Sequence, residues 1–217
     1  AELRNEVEAL GRPPRLIIIQ ANENPASDAY IRGKRKDAEE IGAVADLIKL
    51  SPCITEEALL HVIDECNADQ SADGIIVQLP LPDHISEAKV KMAVDPRKDV
   101  DGFHPATTFD PCTPKGIVNY LRHEGFAFRG ANAVVLGRSN IVGKPMAHLL
   151  LKEDCNVTVL HSKTTAEDRA FYIAHADLIV VAIGRLGYLN PTFTYKPDAF
   201  VVDVGINRGE DGKLHGD

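Results

Sequence analysis

Short apolar runs alternate with amphipathic stretches along the whole chain. Leu16–Gln20, Val44–Leu50 and Gly74–Leu79 have the length and composition of buried strands, and Pro80 and Pro82 end the third. Between the first two, Ser27 is a candidate cap for a helix to about Ile41, which Gly42 stops. Thr55 opens another helix, with Leu59, Val62, Ile63 and Cys66 on one face. The pattern is β-α-β-α-β, preceded by a charged, helix-like Ala1–Leu10.

A Pro-, Asp- and Gly-rich passage, Asp95–Pro114, interrupts the pattern, which then restarts. Thr113 and Pro114 read as cap and first residue of a helix reaching His123. Ala133–Leu136 is a strand, followed by a turn at Gly137 and a helix from about Lys144. Val157–Leu160, Leu178–Ile183 and Phe200–Val204 complete the strands, and Thr165 with Asp168 resembles a capping box between the first two of these. The expected fold class is α/β: two parallel-sheet α/β domains, 1–110 and 111–217, with an active-site cleft between them.

Composition narrows the function. With 44% hydrophobic and 26% charged residues the chain suits a soluble globular protein, and no apolar run approaches the ~20 residues that span a bilayer. No signal peptide is visible. Cys53, Cys66, Cys112 and Cys155 form no C-x-x-C pair, which argues against a disulfide framework or a zinc site and for a reducing compartment. The net charge of −8 is uneven. Residues 1–110 hold 12 Lys/Arg against 21 Asp/Glu, whereas 111–217 hold 12 against 11. The acidic half argues against nucleic acid as a partner, and the near-neutral half suits an anionic cofactor better. A solvated acidic surface explains the first imbalance equally well.

Two segments carry chemistry. Gly137-Arg138-Ser139-Asn140-Ile141-Val142-Gly143 lies between a strand and a helix, with Ser139 at the second glycine position of the dinucleotide fingerprint and the last glycine one residue late. A helix N-terminus there offers N–H groups to a pyrophosphate; a plain βα turn with glycines for tight packing is the alternative. The next strand ends in His161-Ser162-Lys163-Thr164, without the acid that grips a ribose 2′-hydroxyl, and Arg138 follows the first glycine; the pair favours NADP over NAD. Earlier in the chain, Ser27, Tyr30 and Lys34 share one helical stripe. Lys34 is a candidate acid/base, with Arg32, Arg35 and Lys36 adding the positive charge that would ease its deprotonation; a plain basic face is the alternative. Gly33 in mid-helix suggests a close backbone approach. Short-chain dehydrogenases also carry Y-x-x-x-K, but after their nucleotide turn, whereas here the pair precedes it.

In order along the chain, PASDAYIRGK, DGIIVQLPLP, KDVDGFHP, PCTPKG, GRSNIVGKP, VTVLHSKT and VDVGIN closely resemble the bifunctional methylenetetrahydrofolate dehydrogenase/cyclohydrolase family. The resemblance implies a Rossmann-like second domain, NADP-dependent oxidation of 5,10-methylenetetrahydrofolate, and hydrolysis of the product to 10-formyltetrahydrofolate in one-carbon metabolism and purine biosynthesis. It implies Lys34 as the acid/base of hydrolysis, with Gln78 hydrogen-bonding it and Ser27 a second candidate partner. Tyr30 would stack on folate and Asp101 would bind the pterin. Gly137, Arg138, Ser139, Gly143, His161 and Ser162 would hold NADP, with Arg138 and Ser162 on its 2′-phosphate. No metal and no membrane partner are implied; a cytoplasmic homodimer is, with mitochondria open.

The chain departs from the family in three places. Only His104–Asp110 separate the DVDGF and PCTP motifs, where the family has a longer N-x-G-x-L segment. The family's later T-P-V-P-G-G-V-G-P-M-T segment and final helix do not appear before Asp217, and the N-terminus is expected to be short by a helix and a strand. A monofunctional dehydrogenase and an inactive NADP-binding module therefore stand as alternatives; Lys34 and Gln78 speak against the first.

Overall fold

The computed structural model describes residues 2–185, 187–205, 207–208 and 214–216. Ile206 of the VDVGIN motif lies outside the described residues. The chain divides into two compact units, Ala1–Phe109 and Asp110–Asp217.

The first unit runs α1 (Glu2–Ala9), β1 (Arg15–Gln20), α2 (Pro25–Ile41), β2 (Val44–Lys49), α3 (Glu56–Ala68), β3 (Gly74–Gln78) and α4 (Glu87–Ala93). Its sheet is parallel in the order β2-β1-β3, with Gln20 opposite both Lys49 and Gln78. The apolar run of β1 arises because a central parallel strand is covered on both faces. Ile17, Ile19 and Ile75 pack with Leu59 and Ile63 of α3 and Val90 of α4. Alternation turns Ile18, Gln20, Ile76 and Gln78 to the opposite face, where α2 buries Ser27, Ile31 and Ala38.

Asn24, not Ser27, caps α2: its side chain accepts the Ala26 N–H, Pro25 takes the first helical position, and Ser27 is buried inside the first turn. Gly42 ends the helix at φ 85° with its N–H on the Ala38 and Glu39 carbonyls. Helix α4 was not anticipated; its seven residues are too few to display a period, and Ser86 caps it.

The second unit runs α5 (Cys112–His123), β4 (Asn132–Leu136), α6 (Gly143–Lys152), β5 (Asn156–Leu160), α7 (Ala166–Ala174), β6 (Leu178–Val181) and β7 (Phe200–Asp203), then an unanticipated antiparallel pair, β8 (Asn207–Arg208) and β9 (Leu214–His215). Helix α5 starts at Cys112 after Pro111, so Pro114 sits within its first turn rather than at its first residue. A missing N–H is harmless there, because first-turn amides have no intrahelical partner. Thr165 caps α7 as expected, accepting the Asp168 N–H.

The main sheet is parallel in the order β5-β4-β6-β7. Ala133, Val135, Leu178 and Val180 pack on α5 and α6 through Val118, Leu121, Met146 and Leu150. Val134, Leu136, Ile179 and Val181 pack on Ile173 of α7. After β5 the chain crosses to the other side of β4, which creates a topological switch point beside the β4 C-terminus. The Gly137 turn begins there.

Candidate functional site

In the first unit, Lys34 of α2 reaches over the end of β3, where its Nζ donates to Gln78 Oε1 at 3.2 Å. Gln78 Nε2 donates to the Leu79 carbonyl at 2.9 Å, which turns the amide oxygen toward the amine. Tyr30, one turn before Lys34, is 51% exposed and free to offer its ring to a ligand. The basic neighbours lie elsewhere: Arg32, Arg35 and Lys36 line a groove with β2, on the other flank of the helix. The expected crowding of like charge around Lys34 is therefore not the arrangement found. Nor does Gly33 mark a close approach, since a Cβ there would meet nothing within 4 Å.

Ser27 differs from expectation. It is 2% exposed and its hydroxyl donates to Leu79 O at 3.2 Å, so it fastens α2 to the residue after Gln78 instead of bonding Lys34. Asn22 does the same from the end of β1 and escaped the sequence reading. Its Nδ2 donates to Pro80 O at 2.7 Å, and its Oδ1 accepts the Asn24 N–H and Gln20 Nε2. Fully buried Gln20 also donates to Asp28 Oδ1 at 2.8 Å, in the first turn of α2. This network joins the helix bearing Lys34 to the strand end bearing Gln78. A polar residue closing the apolar run LIIIQ was the one available signal, because ligands gather at the C-terminal ends of parallel strands.

Asp101 follows in the turn after α4. Burial, the dominant influence, pushes its carboxyl pKa up; Lys34 opposes this, Asp99 adds to it and Lys91 opposes it. The Lys34 charge thus acts on Asp101. Asp99, Asp101, Lys91 and Phe103 line one small cavity, with Lys91 Nζ 4.9 Å from the Phe103 ring centroid.

In the second unit, backbone makes the site. Gly137 has φ 112°, and a Cβ there would fall 2.5 Å from Ala182 O at the end of β6. A Cβ at Gly143 would strike the Gly137 carbonyl, and one at Gly205 would fall 2.6 Å from Ile183 O. Ser139 Oγ accepts the N–H groups of Val142 and Gly143, which closes the turn onto α6. Two of the amides expected for a pyrophosphate are thereby engaged. Among the described residues, the amides of Arg138, Ser139, Asn140 and Ile141 donate to no protein acceptor and remain for an anion.

Gly137 N donates to Leu160 O at 2.8 Å, so the turn carrying Arg138 and the loop carrying His161 and Ser162 leave adjacent strand ends. His161 Nδ1 accepts the Lys163 N–H, and Thr164 Oγ1 accepts the His161 N–H. These bonds shape the loop and leave Ser162 exposed. Arg138 is also exposed, and no carboxylate stands among 161–164. Glycines that admit a close-lying chain, open amides, a cation and a hydroxyl fit a dinucleotide bearing a 2′-phosphate.

An amine–amide pair on one parallel α/β unit, followed by a Rossmann-like unit, describes a two-domain nucleotide-dependent enzyme. The model of the tetrahydrofolate dehydrogenase/cyclohydrolase catalytic domain matches residues 1–101, and that of the family's NAD(P)-binding domain matches 111–217. The chain belongs to this family. The bifunctional protein FolD of Enterococcus faecalis is 47% identical over 229 residues, covering 100% of this chain and 80% of that one. The bifunctional FolD methylenetetrahydrofolate dehydrogenase/cyclohydrolase of Campylobacter jejuni superposes with a TM-score of 0.93 at 40% identity, covering 100% of this chain and 79% of that one. The Trypanosoma brucei methylenetetrahydrofolate dehydrogenase-cyclohydrolase, solved with NADP cofactor and inhibitor, gives 0.91 at 34% identity, covering 100% and 80%. The two family models leave 102–110 unmatched, the stretch where the sequence falls short of the family pattern.

Proposed function

We propose that this protein oxidises 5,10-methylenetetrahydrofolate to the 5,10-methenyl form with NADP and hydrolyses that product to 10-formyltetrahydrofolate. The observation that carries the second step is the 3.2 Å contact between Lys34 Nζ and Gln78 Oε1. The methenyl carbon is a cationic electrophile. Water adds to it when a base takes the water proton, and the ring opens when the departing nitrogen receives a proton. Lys34 is the group for both transfers, and Gln78 holds its amine in place.

Tyr30 stacks on the folate and Asp101 accepts hydrogen bonds from the pterin. In the first step Tyr30 and Asp101 align the substrate, a contribution that can rival chemical assistance in size. Arg138 and Ser162 hold the 2′-phosphate of NADP, while Gly137 and Gly143 admit its diphosphate to the backbone. Bound NADP supplies the hydride acceptor. The assigned domains are 1–110 for folate and 111–217 for NADP.

The protein is further proposed to act as a cytoplasmic homodimer. Cys53, Cys66 and Cys155 are unbridged, which suits a reducing compartment, and among the described residues no helix is long and apolar enough to cross a membrane. Light scattering tests the dimer.

The activity test supplies methylenetetrahydrofolate and NADP and follows NADPH, methenyl and formyl products together. Expected is NADPH matched by 10-formyltetrahydrofolate. Methenyl accumulating at its uncatalysed hydrolysis rate would mark a dehydrogenase alone, and NADP binding without turnover would mark an inactive module.

A further inference from the structure

Asp101 stands in a turn that the rest of the first unit grips from two directions. Among the described residues no group donates a hydrogen bond to its carboxylate, which is buried beside the charges of Lys34, Asp99 and Lys91. The turn backbone must therefore aim it. Gly102, at φ 77°, closes that turn with its N–H on Asp99 O.

On the N-terminal side stands Lys98. Its Nζ donates to Asn67 O at 2.8 Å, Asp69 O at 2.6 Å and Cys66 O at 3.3 Å. Those carbonyls are the open end of α3, where the helix dipole favours a cation, and three acceptors saturate the ammonium. Lys98 O in turn accepts the Ile75 N–H of β3 at 2.8 Å. Val100 packs on the bare start of that strand, where a Cβ on Gly74 would fall 2.8 Å from its Cγ1.

On the C-terminal side stands Thr107. Its hydroxyl proton is shared between Pro96 O at 2.9 Å and Asp99 O at 3.3 Å, and its oxygen accepts the Phe109 N–H. The buried Asp99 carboxylate accepts the His104 N–H at 2.6 Å. The brief connector after Phe103 is thus folded back onto the turn it follows.

We propose that Lys98 and Thr107 are positioning residues for substrate binding, clamping the Asp99–Gly102 turn from either side so that Asp101 meets the pterin. The proposal rests on the reading of Asp101 as the pterin-binding carboxylate. It explains how a connector of so few residues keeps that carboxylate in place: the connector does its own anchoring, through the Thr107 hydroxyl and the His104 N–H. Neither residue touches the substrate.

The test titrates tetrahydrofolate and NADP separately against the protein and its variants Asp101→Ala, Lys98→Met, Thr107→Val and Thr107→Ser. Thr107→Val keeps the shape and removes the hydroxyl's bonds. It should weaken tetrahydrofolate about threefold to tenfold, the loss of one or two hydrogen bonds, with NADP unchanged. Lys98→Met should weaken it further, and Thr107→Ser should restore it. In turnover, KM for the folate should rise more than kcat falls. If Asp101→Ala leaves tetrahydrofolate binding intact, the Asp101 reading fails. If Asp101→Ala weakens it while Thr107→Val does not, the clamp fails and the reading stands. Equal loss of both ligands in Thr107→Val would mean a general structural role and overturn the proposal. Should Lys98→Met not fold, the Thr107 pair decides.

Discussion

The two units solve opposite problems at the C-terminal ends of their parallel sheets. The first fills that end with side chains that hold one another: Asn22, Gln20, Ser27 and Asp28 fasten the elements that bring Lys34 to Gln78. The second empties that end: Gly137, Gly143 and Gly205 bring backbone within contact distance and leave amides open. Proton transfer depends on the placement and acidity of particular groups, so it needs a supported amine. Phosphate recognition depends on closely approaching N–H groups, so it needs side chains removed. The same strand-to-helix architecture serves both.

The sharpest way to break this contrast is to remove the amine. Lys34→Met should lower methenyltetrahydrofolate hydrolysis by about 10²–10⁴-fold, the usual worth of general acid/base catalysis, while dehydrogenation persists. Separate assays of the two steps decide it. Hydrolysis within about threefold of wild type, far below that range, would take Lys34 out of the chemistry.

The counterpart in the second unit adds atoms instead of deleting them. Gly143→Ala places a methyl against the Gly137 carbonyl group and the Arg138 Cα, all backbone that cannot rotate away. The start of α6 must then shift from the turn. Such overpacking costs about 1–3 kcal/mol, and the NADP dissociation constant should rise tenfold or more. Folate binding should hold. Unaltered NADP affinity would show that the close approach is not part of the cofactor site.

Arg138→Ala asks a narrower question. The side chain is exposed and leaves the turn beside the His161–Ser162 loop. Its loss should weaken NADP by roughly tenfold, about 1.4 kcal/mol, and NAD hardly at all. Calorimetric titration of both cofactors separates the outcomes; equal weakening would make Arg138 a residue of turn structure only.

The same contrast governs what the sequence makes legible. The strands declare themselves as apolar runs because both sheet faces are covered. The glycine turn declares itself because its residues are contiguous. The first unit's site does so only through the Tyr30–Lys34 stripe, since its staples join residues far apart: Asn22 to Pro80 spans 58 positions and Lys98 to Asn67 spans 31. Their partners are backbone carbonyls, which carry no residue identity for a motif to record. Ser27 shows the limit clearly. Its place on the helix stripe was visible, but whether its hydroxyl faced Lys34 or a carbonyl depended on the path of Leu79 and Pro80. Pro25 suits the first helical position, so the cap falls on Asn24 directly before it and not on Ser27.

The smallest effect tests a glycine that the first unit does not need. Gly33 lies in the interior of α2, is exposed, and would offer a Cβ nothing to strike. Its φ is not in the left-handed region, unlike that of Gly42 at the helix end. Alanine there should therefore stabilise the fold by about 1 kcal/mol, because it reduces the backbone freedom lost on helix formation without adding strain. Denaturant midpoints with an unchanged m-value are the measurement. Both activities should survive, since Tyr30 and Lys34 lie on a flank that the substitution does not crowd. If Gly33→Ala instead destabilises the protein, or slows hydrolysis while leaving stability higher, then α2 must bend at that point for Lys34 to work, and the first unit would share with the second a dependence on bare backbone.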